Sequence, residues 1–456
     1  MPYKYRMLLL LVSSYVFYMY WRWDFAAIML VVTIINYYSG IKIEKAERMG
    51  AKRAWLYFAL ISSLIPLLYF KYANFFVENI NATLALVDTN TKFSYLDLVL
   101  PVGISFFTFQ ALSYSLDVFY KKSKVEKNII RFGTFVAFFP QLVAGPIERS
   151  SNLLAQFKEK HSFNKDYFIT GSKLFIWGLF KKVVIADRLA LYVDDIYRVP
   201  EMYSGFTLMV ATFFFAIQIY CDFSGYSDMA IGTARILGFK LIQNFNLPYF
   251  ARSISDFWKR WHISLSSWFG DYLYKPLGGS RVSYTKWLRN ILIVFLVSGF
   301  WHGASWTFII WGLLHAFYYF FESWGDLLLK KLHIVGIKNT NMYKVYKVIS
   351  VFILTCYAWI FFRSESLSDA FLITDRIFSS WKPHYYLGAS TVTFVLSCLL
   401  IVVLFIVQLL QYRGISSLYF SRSKVSPVLR LGWYLMLLLG ISVLGLSSNS
   451  FIYFQF

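Results

Sequence analysis

Ionisable side chains inside apolar runs are costly in lipid, so each such residue is a candidate for chemistry. His302 lies in Val297-Ser298-Gly299-Phe300-Trp301-His302-Gly303-Ala304-Ser305-Trp306, between two apolar runs. A neutral imidazole can take a proton from an attacking hydroxyl, because its ordinary pKa lies near neutrality. Gly299 and Gly303 are expected to allow a sharp bend and the close approach of a thin substrate. A histidine packed at a helix interface would have the same neighbours, and spacing alone leaves both readings open. His262, in Arg260-Trp261-His262-Ile263-Ser264, is the second candidate. Its setting alone favours an interfacial histidine with a half-wet ring. The two histidines are too far apart in sequence for a local metal-ligand spacing, so no metal site is expected. His315 is read as a hydrogen-bonded core residue, and His161, His333 and His384 as solvated. Asp222 and Asp228 do not share a helix face well. They are expected to pair with Arg235, Arg252 or Arg260 rather than to form a catalytic dyad. Gly278-Gly279 lacks the phosphate-loop pattern and is read as a turn. The absence of a Gly-x-Ser-x-Gly elbow argues against a serine hydrolase. Cys221, Cys356 and Cys398 form no Cys-x-x-Cys pair and are expected to be buried free thiols.

The elements that must position these residues are membrane helices. Apolar residues make up 58% of the 456, and charged residues only 15%, where a soluble surface needs about 25%. Mean hydropathy is +0.53. Fifteen Trp and 34 Tyr suit many membrane–water interfaces. A helix needs about 20 apolar residues to span the hydrocarbon core. Candidate spans are 7–21, 25–39, 54–70, 97–119, 131–146, 168–186, 205–226, 289–301, 304–322, 345–362, 391–411 and 431–448. Pro140 and Gly145-Pro146 break one of them, and His302-Gly303 separates two others. Such interruptions survive at membrane depth only where protein or a water-filled cavity covers the backbone. The expectation is an all-α integral membrane protein of roughly 10 to 12 spans with re-entrant pieces. Segment 238–290 is too polar to span and rich in Trp, Lys and Arg. It reads as interfacial helices on the cytoplasmic side of one membrane domain covering residues 1–456.

The net charge is +21. Its Lys and Arg cluster between apolar runs, which fits short cytoplasmic loops and excludes a nucleic-acid binder. Basic clusters in loops 41–53, 121–131 and 412–430 place these inside, while loop 71–96, poor in cations, is placed outside. The N-terminus is then inside, and the C-terminal end, Ser450 to Phe456, falls outside. A cytoplasmic 412–430 also requires that an odd number of the preceding candidate spans fail to cross. Basic loops would attract anionic membrane lipid and phosphate-bearing donors. The first apolar run ends at Trp21-Arg22-Trp23-Asp24 without a small-residue cleavage site, and is read as an uncleaved first helix.

Seven motifs in order carry a resemblance. They are Pro101-Val102-Gly103-Ile104-Ser105-Phe106; Pro140-Gln141-Leu142-Val143-Ala144-Gly145-Pro146-Ile147; Tyr220 to Asp228; Asn244-Phe245-Asn246-Leu247-Pro248-Tyr249; Phe257 to Ser266; Tyr274 to Gly279; and Ser298 to Trp306. Together they resemble the membrane-bound O-acyltransferase family, in particular its bacterial alginate and peptidoglycan O-acetylation members. The likeness runs from about Pro101 to Trp311 and includes the C-terminal Phe451-Ile452-Tyr453-Phe454. Gly270-Asp271-Tyr272 departs from it, since relatives often carry Arg at the first position, so no donor contact is assigned there. The resemblance implies that His302 and His262 are the catalytic pair, lining a narrow central tunnel. It implies a cytoplasmic acyl thioester donor, acetyl-CoA, with no tightly bound cofactor. It also implies residence in the bacterial cytoplasmic membrane and an extracytoplasmic esterase-like partner that completes transfer to a polysaccharide. Two other functions compete. One is D-alanyl transfer to teichoic acid from a carrier-protein thioester; the long tail beyond residue 345 and the Pro-Leu-Gly-Gly run argue against it. The other is a proton-coupled secondary transporter, which would show internal inverted repeats that the sequence lacks.

Overall fold

The computed structural model describes residues 3–87, 91–332, 340–380, 385–414, 426–446 and 451. The expectations for His333, His384, Arg422, Lys424 and the C-terminal end other than Phe451 lie outside the described residues. The described residues form helices and no strand. Six of the helices are long and apolar enough to cross a membrane. This is a multi-pass membrane protein, and each candidate span of the sequence contains a helix. The helices gather into two compact units, residues 1–164 with 237–242, and residues 165–236 with 243–456.

The first unit holds α1 (Tyr3–Met19), α2 (Phe25–Lys45), α3 (Met49–Leu86), α4 (Ile104–Phe119), α5 (Ile129–Ala137), α6 (Phe139–Leu142) and α7 (Ser150–Gln156). Apolar side chains cannot drive helices together in lipid, so small and polar groups do it. Asn36 of α2 donates to Ser63 Oγ of α3 at 2.8 Å and accepts from Ser115 of α4 at 2.7 Å, all buried. At 38 residues, α3 is about 57 Å long, well beyond the roughly 30 Å hydrocarbon core. It therefore runs into segment 71–96, where the sequence suggested only a loop. The amides of Asn74 and Asn81 hold the returning backbone at Leu96 and Phe93 against this extension. Segment 131–146 breaks at Phe138, with Pro140 in the first turn of α6. Neither piece is long enough to span alone.

The second unit opens with α8 (Lys165–Phe180), a π-helical turn (Lys181–Ala186) and α9 (Asp187–Arg198) in one continuous helix. It packs on α10 (Gly205–Ile236) through glycines. A Cβ at Gly178 would lie 2.5 Å from the Gly225 carbonyl oxygen, and one at Gly171 would lie 2.6 Å from that of Gly232. Side chains at these positions would force the helices apart. Short helices α11 (Ile254–Trp258) and α12 (Ile263–Phe269) follow, then the hairpin of α13 (Tyr284–His302) and α14 (Trp306–Lys331). The unit ends with α15 (Asn341–Arg363), α16 (Leu367–Ser379), α17 (Thr391–Tyr412) and α18 (Pro427–Leu444). The sequence reading had no counterpart of α16, because the helix is short and amphipathic.

Candidate active site

His302 is the last residue of α13 and is 3% exposed. Gly303 leaves the helix in an extended conformation, and the Ser305 hydroxyl then caps α14 by accepting from the Thr307 N–H. The two helices close tightly at glycines. A Cβ at Gly299 would overlap the Phe308 carbonyl, one at Gly312 the Phe295 carbonyl, and one at Gly303 the Phe308 ring. Gly299 and Gly303 were expected to allow a sharp bend and the close approach of a substrate; the chain does turn at Gly303, but Phe308 of α14 occupies the room beside both. Aromatic rings meet the His302 ring edge-on: Trp301 at 4.9 Å, Trp311 at 5.0 Å and Phe362 of α15 at 5.4 Å between centroids.

His262 is fully buried, not half-wet as its setting suggested. It sits just before α12 with φ +43° and ψ +54°, in the left-handed region that residues with a Cβ rarely adopt. Its ring lies 4.5 Å from Phe223 of α10 and 6.2 Å from Trp301 between centroids. Trp301 thus contacts both imidazoles. On the other side, the Trp261–Trp359 and Trp359–Trp311 contacts, at 5.1 and 6.0 Å, connect the neighbour of His262 to the neighbour of His302. His262 Nδ1 lies 3.1 Å from Asn244 Oδ1.

A cavity of about 480 Å³ approaches this aromatic cluster. Lys259 and Ser280 are at its exposed edge; Trp258, Leu265, Phe295 and Ser298 line its buried part. Ser298 precedes His302 by one helical turn and so lies on the same face of α13. The lining reaches Ser298 and does not include His302 itself. A second cavity, of about 750 Å³, shares Ser255, Trp287 and Tyr319 with the first. Arg252, Lys330, Lys344 and Lys347 line it, against Glu322 and Asp326. Among the described residues, no three His, Cys, Asp or Glu side chains gather as a metal site would require.

His315 is buried in the core, as expected. The Trp258 indole donates to its Nδ1 at 3.4 Å, and Trp311 and Phe295 pack on its ring. His161 is half-buried rather than solvated; its Nε2–H donates to the Gln156 carbonyl at 2.8 Å and its ring rests on Phe239. Cys221 is buried, while Cys356 and Cys398 are only half-buried, and all three are free thiols. Gly278 and Gly279 form a turn, with φ +102° and +58°.

Asp222 and Asp228 form ion pairs with lysines; of the arginines expected, Arg235 acts electrostatically on Asp228. Lys182 bridges Asp222 and Asp187 at 2.7 Å each, and Lys181 reaches Asp228 at 2.8 Å and Ser224 at 2.7 Å. Arg260 is instead engaged with Asp256 at 2.7 Å. The sequence reading missed both lysines. The signal available was a Lys-Lys pair at the end of an apolar run with Asp187 following closely; the π turn aims both ammonium groups at α10. Phe451, part of the C-terminal motif, is fully buried and packs on Tyr226 and on Phe223, the ring that also bears on His262.

A family model described as MBOAT, membrane-bound O-acyltransferase family, matches residues 98–364. A protein named probable alginate O-acetylase AlgI, from Azotobacter vinelandii, is 37% identical over all of this chain and 95% of its own length. A peptidoglycan O-acetyltransferase of Helicobacter pylori is 37% identical over 79% of this chain and 71% of its own. A teichoic acid D-alanyltransferase of Bacillus subtilis is 31% identical over 50% of this chain and 61% of its own.

Proposed function

The chain belongs to the membrane-bound O-acyltransferase family, and from that premise we propose that it passes an acetyl group from cytoplasmic acetyl-CoA across the bacterial cytoplasmic membrane for O-acetylation of an extracytoplasmic polysaccharide. The observation that carries this reading is the meeting of His262 and His302 around Trp301, beside a cavity that begins at exposed Lys259 and reaches Ser298.

In this reading the acyl arm of the donor enters the 480 Å³ cavity, whose inner wall is apolar. Its phosphate-bearing end rests in the adjoining cavity among Arg252, Lys330, Lys344 and Lys347, where ammonium and guanidinium groups suit phosphate. The reaction is attack on the thioester carbonyl. The new bond to carbon forms, the carbon–sulfur bond breaks, and the thiolate leaves toward the cytoplasm. If an acceptor hydroxyl attacks, His302 takes its proton as general base. If the imidazole nitrogen itself attacks, His302 carries the acetyl group until the acceptor displaces it. Either route uses the same ring. A separate esterase-like partner outside the membrane completes transfer to sugar hydroxyls.

The D-alanyl alternative draws less support. The O-acetylase relative aligns with the whole chain, and the D-alanyltransferase with half of it.

The test is a complementation strain producing wild-type protein, His302→Ala or His262→Ala at equal membrane abundance, with ester-linked acetate measured on the envelope polysaccharide. Loss of acetate by two orders of magnitude or more is expected for His302→Ala. Undiminished acetylation in that variant would remove the ring from the chemistry.

A further inference from the structure

We infer that Asn244 is the positioning residue of His262, fixing its tautomer so that Nδ1 bears the proton and Nε2 the lone pair. This rests on His262 belonging to the proposed active site beside His302, and goes beyond it by assigning which ring nitrogen is left to accept a hydrogen bond or a proton there.

Asn244 is fully buried. Its Oδ1 faces three groups: the Ser264 backbone N–H at 3.2 Å, the Ser264 hydroxyl at 2.9 Å and His262 Nδ1 at 3.1 Å. A backbone N–H can only donate, so the atom it meets must be the amide oxygen. That settles the orientation of the amide, which could otherwise be drawn either way round. Its NH2 then donates to Ser227 of α10 at 3.2 Å. The other group that meets His262 Nδ1 is the Ser264 hydroxyl, at 3.4 Å, but that hydroxyl donates over the shorter 2.9 Å to Asn244 Oδ1. An amide oxygen can only accept, so the 3.1 Å contact between it and Nδ1 is a hydrogen bond only if Nδ1 carries hydrogen. A neutral imidazole has one N–H, which leaves the lone pair on Nε2.

The backbone builds the same arrangement. The Asn246 N–H donates to the Arg260 carbonyl and the Ile263 N–H to the Asn244 carbonyl, both at 2.9 Å. These bonds bracket His262 and hold it in its left-handed conformation, a strain found mostly where the surroundings over-determine it. Ring orientation and backbone strain therefore have one source, the strand of chain at 244–246 laid against 260–264.

The choice of an amide over a carboxylate matters. An aspartate at this position would favour the imidazolium, whereas a neutral acceptor orients the ring without charging it. Phe223 of α10 and Trp301 of α13, both uncharged, pack on the ring from other elements. The carboxylates of α10 beside Phe223 are engaged by lysine, Asp222 by Lys182 and Asp228 by Lys181. Arg260 is held by Asp256, and α13 has no charged residue between Arg289 and His302.

Two experiments on the full-length protein in nanodiscs test this. The first needs no change at Asn244. Imidazole ¹⁵N spectra of histidine-labelled wild type, with the His262 signals identified by their loss in His262→Gln, should show a protonated Nδ1 and an unprotonated Nε2. A protonated Nε2 would overturn the inference. The second measures acetyl transfer from acetyl-CoA against pH. Asn244→Ala should lose about 10- to 100-fold in kcat with KM for acetyl-CoA unchanged. Asn244→Asp, which keeps the acceptor, should recover most of that rate above neutrality, with the acid limb of its profile moved to higher pH. A folded Asn244→Ala variant of full kcat would overturn the inference if His262→Ala is inactive. A fully active His262→Ala would instead sink the proposed role of His262 itself.

Discussion

Two buried imidazoles, each in an aromatic surround, are the residues on which the proposed chemistry turns, and they were unequally visible beforehand. His302 stood out because an ionisable residue between two apolar runs is costly in lipid, and the motif around it, not its spacing alone, separated it from a histidine packed at a helix interface. The burial of His262 was hidden, because the tryptophans and cations around it also describe an interfacial helix. Its left-handed backbone, a conformation that costs about 1–3 kcal/mol, follows from pairing with residues 18 positions earlier, which no local pattern encodes. Glu148 offers a test outside the spanning helices. It is fully buried and accepts from the Ile242 N–H and the Asn152 amide, each at 2.6 Å. Burial pushes its carboxyl up from 4.5 to about 7. The folded protein therefore binds this proton more tightly than the unfolded chain does. The stability it contributes is complete below about 4.5 and is lost as pH rises through about 7. Melting temperature in detergent should fall between pH 5 and 8 for the wild type and fall less for Glu148→Gln. Identical pH dependence in the two proteins would show that Glu148 does not titrate as described.

The helices themselves were largely legible, since apolar length and breaks at proline and glycine are local properties. Where the reading failed, the cause was tertiary. Polar contacts from Asn74 and Asn81 carry α3 past its apolar run, and α16 is too short and too amphipathic to register as a span. The π turn at Lys181–Ala186 is the clearest case. Lysines at the end of an apolar run look like flanking charges, yet here they turn inward to Asp187, Asp222 and Asp228. Removing one partner of such a pair leaves an uncompensated buried charge, which costs about 3–5 kcal/mol. Lys182→Met should therefore sharply reduce the yield of monodisperse protein and its melting temperature. Lys158→Met, which removes a half-exposed partner of Glu126, should change stability by at most about 1 kcal/mol. Equal melting temperatures for the two variants would mean that the buried cluster does not hold α10 to the helix that precedes it.

For the molecule as a whole, the charge pattern and the two adjoining cavities combine into a statement about direction. Cations concentrate in loops assigned to the cytoplasm, and the cation-lined cavity is the one assigned to the phosphate end of the donor. In the proposed function the acetyl group enters from the cytoplasmic face and leaves on the other. Inside-out and right-side-out membrane vesicles, prepared from cells that make the acetylated polymer, provide the most direct measurement. Radiolabelled acetyl-CoA is added outside the vesicles, and ester-linked label on luminal polymer is counted. Wild-type protein should give luminal label in inside-out vesicles only, and His302→Ala should give none. Equal luminal label from His302→Ala, or label on polymer only when acetyl-CoA meets the opposite face, would contradict the account.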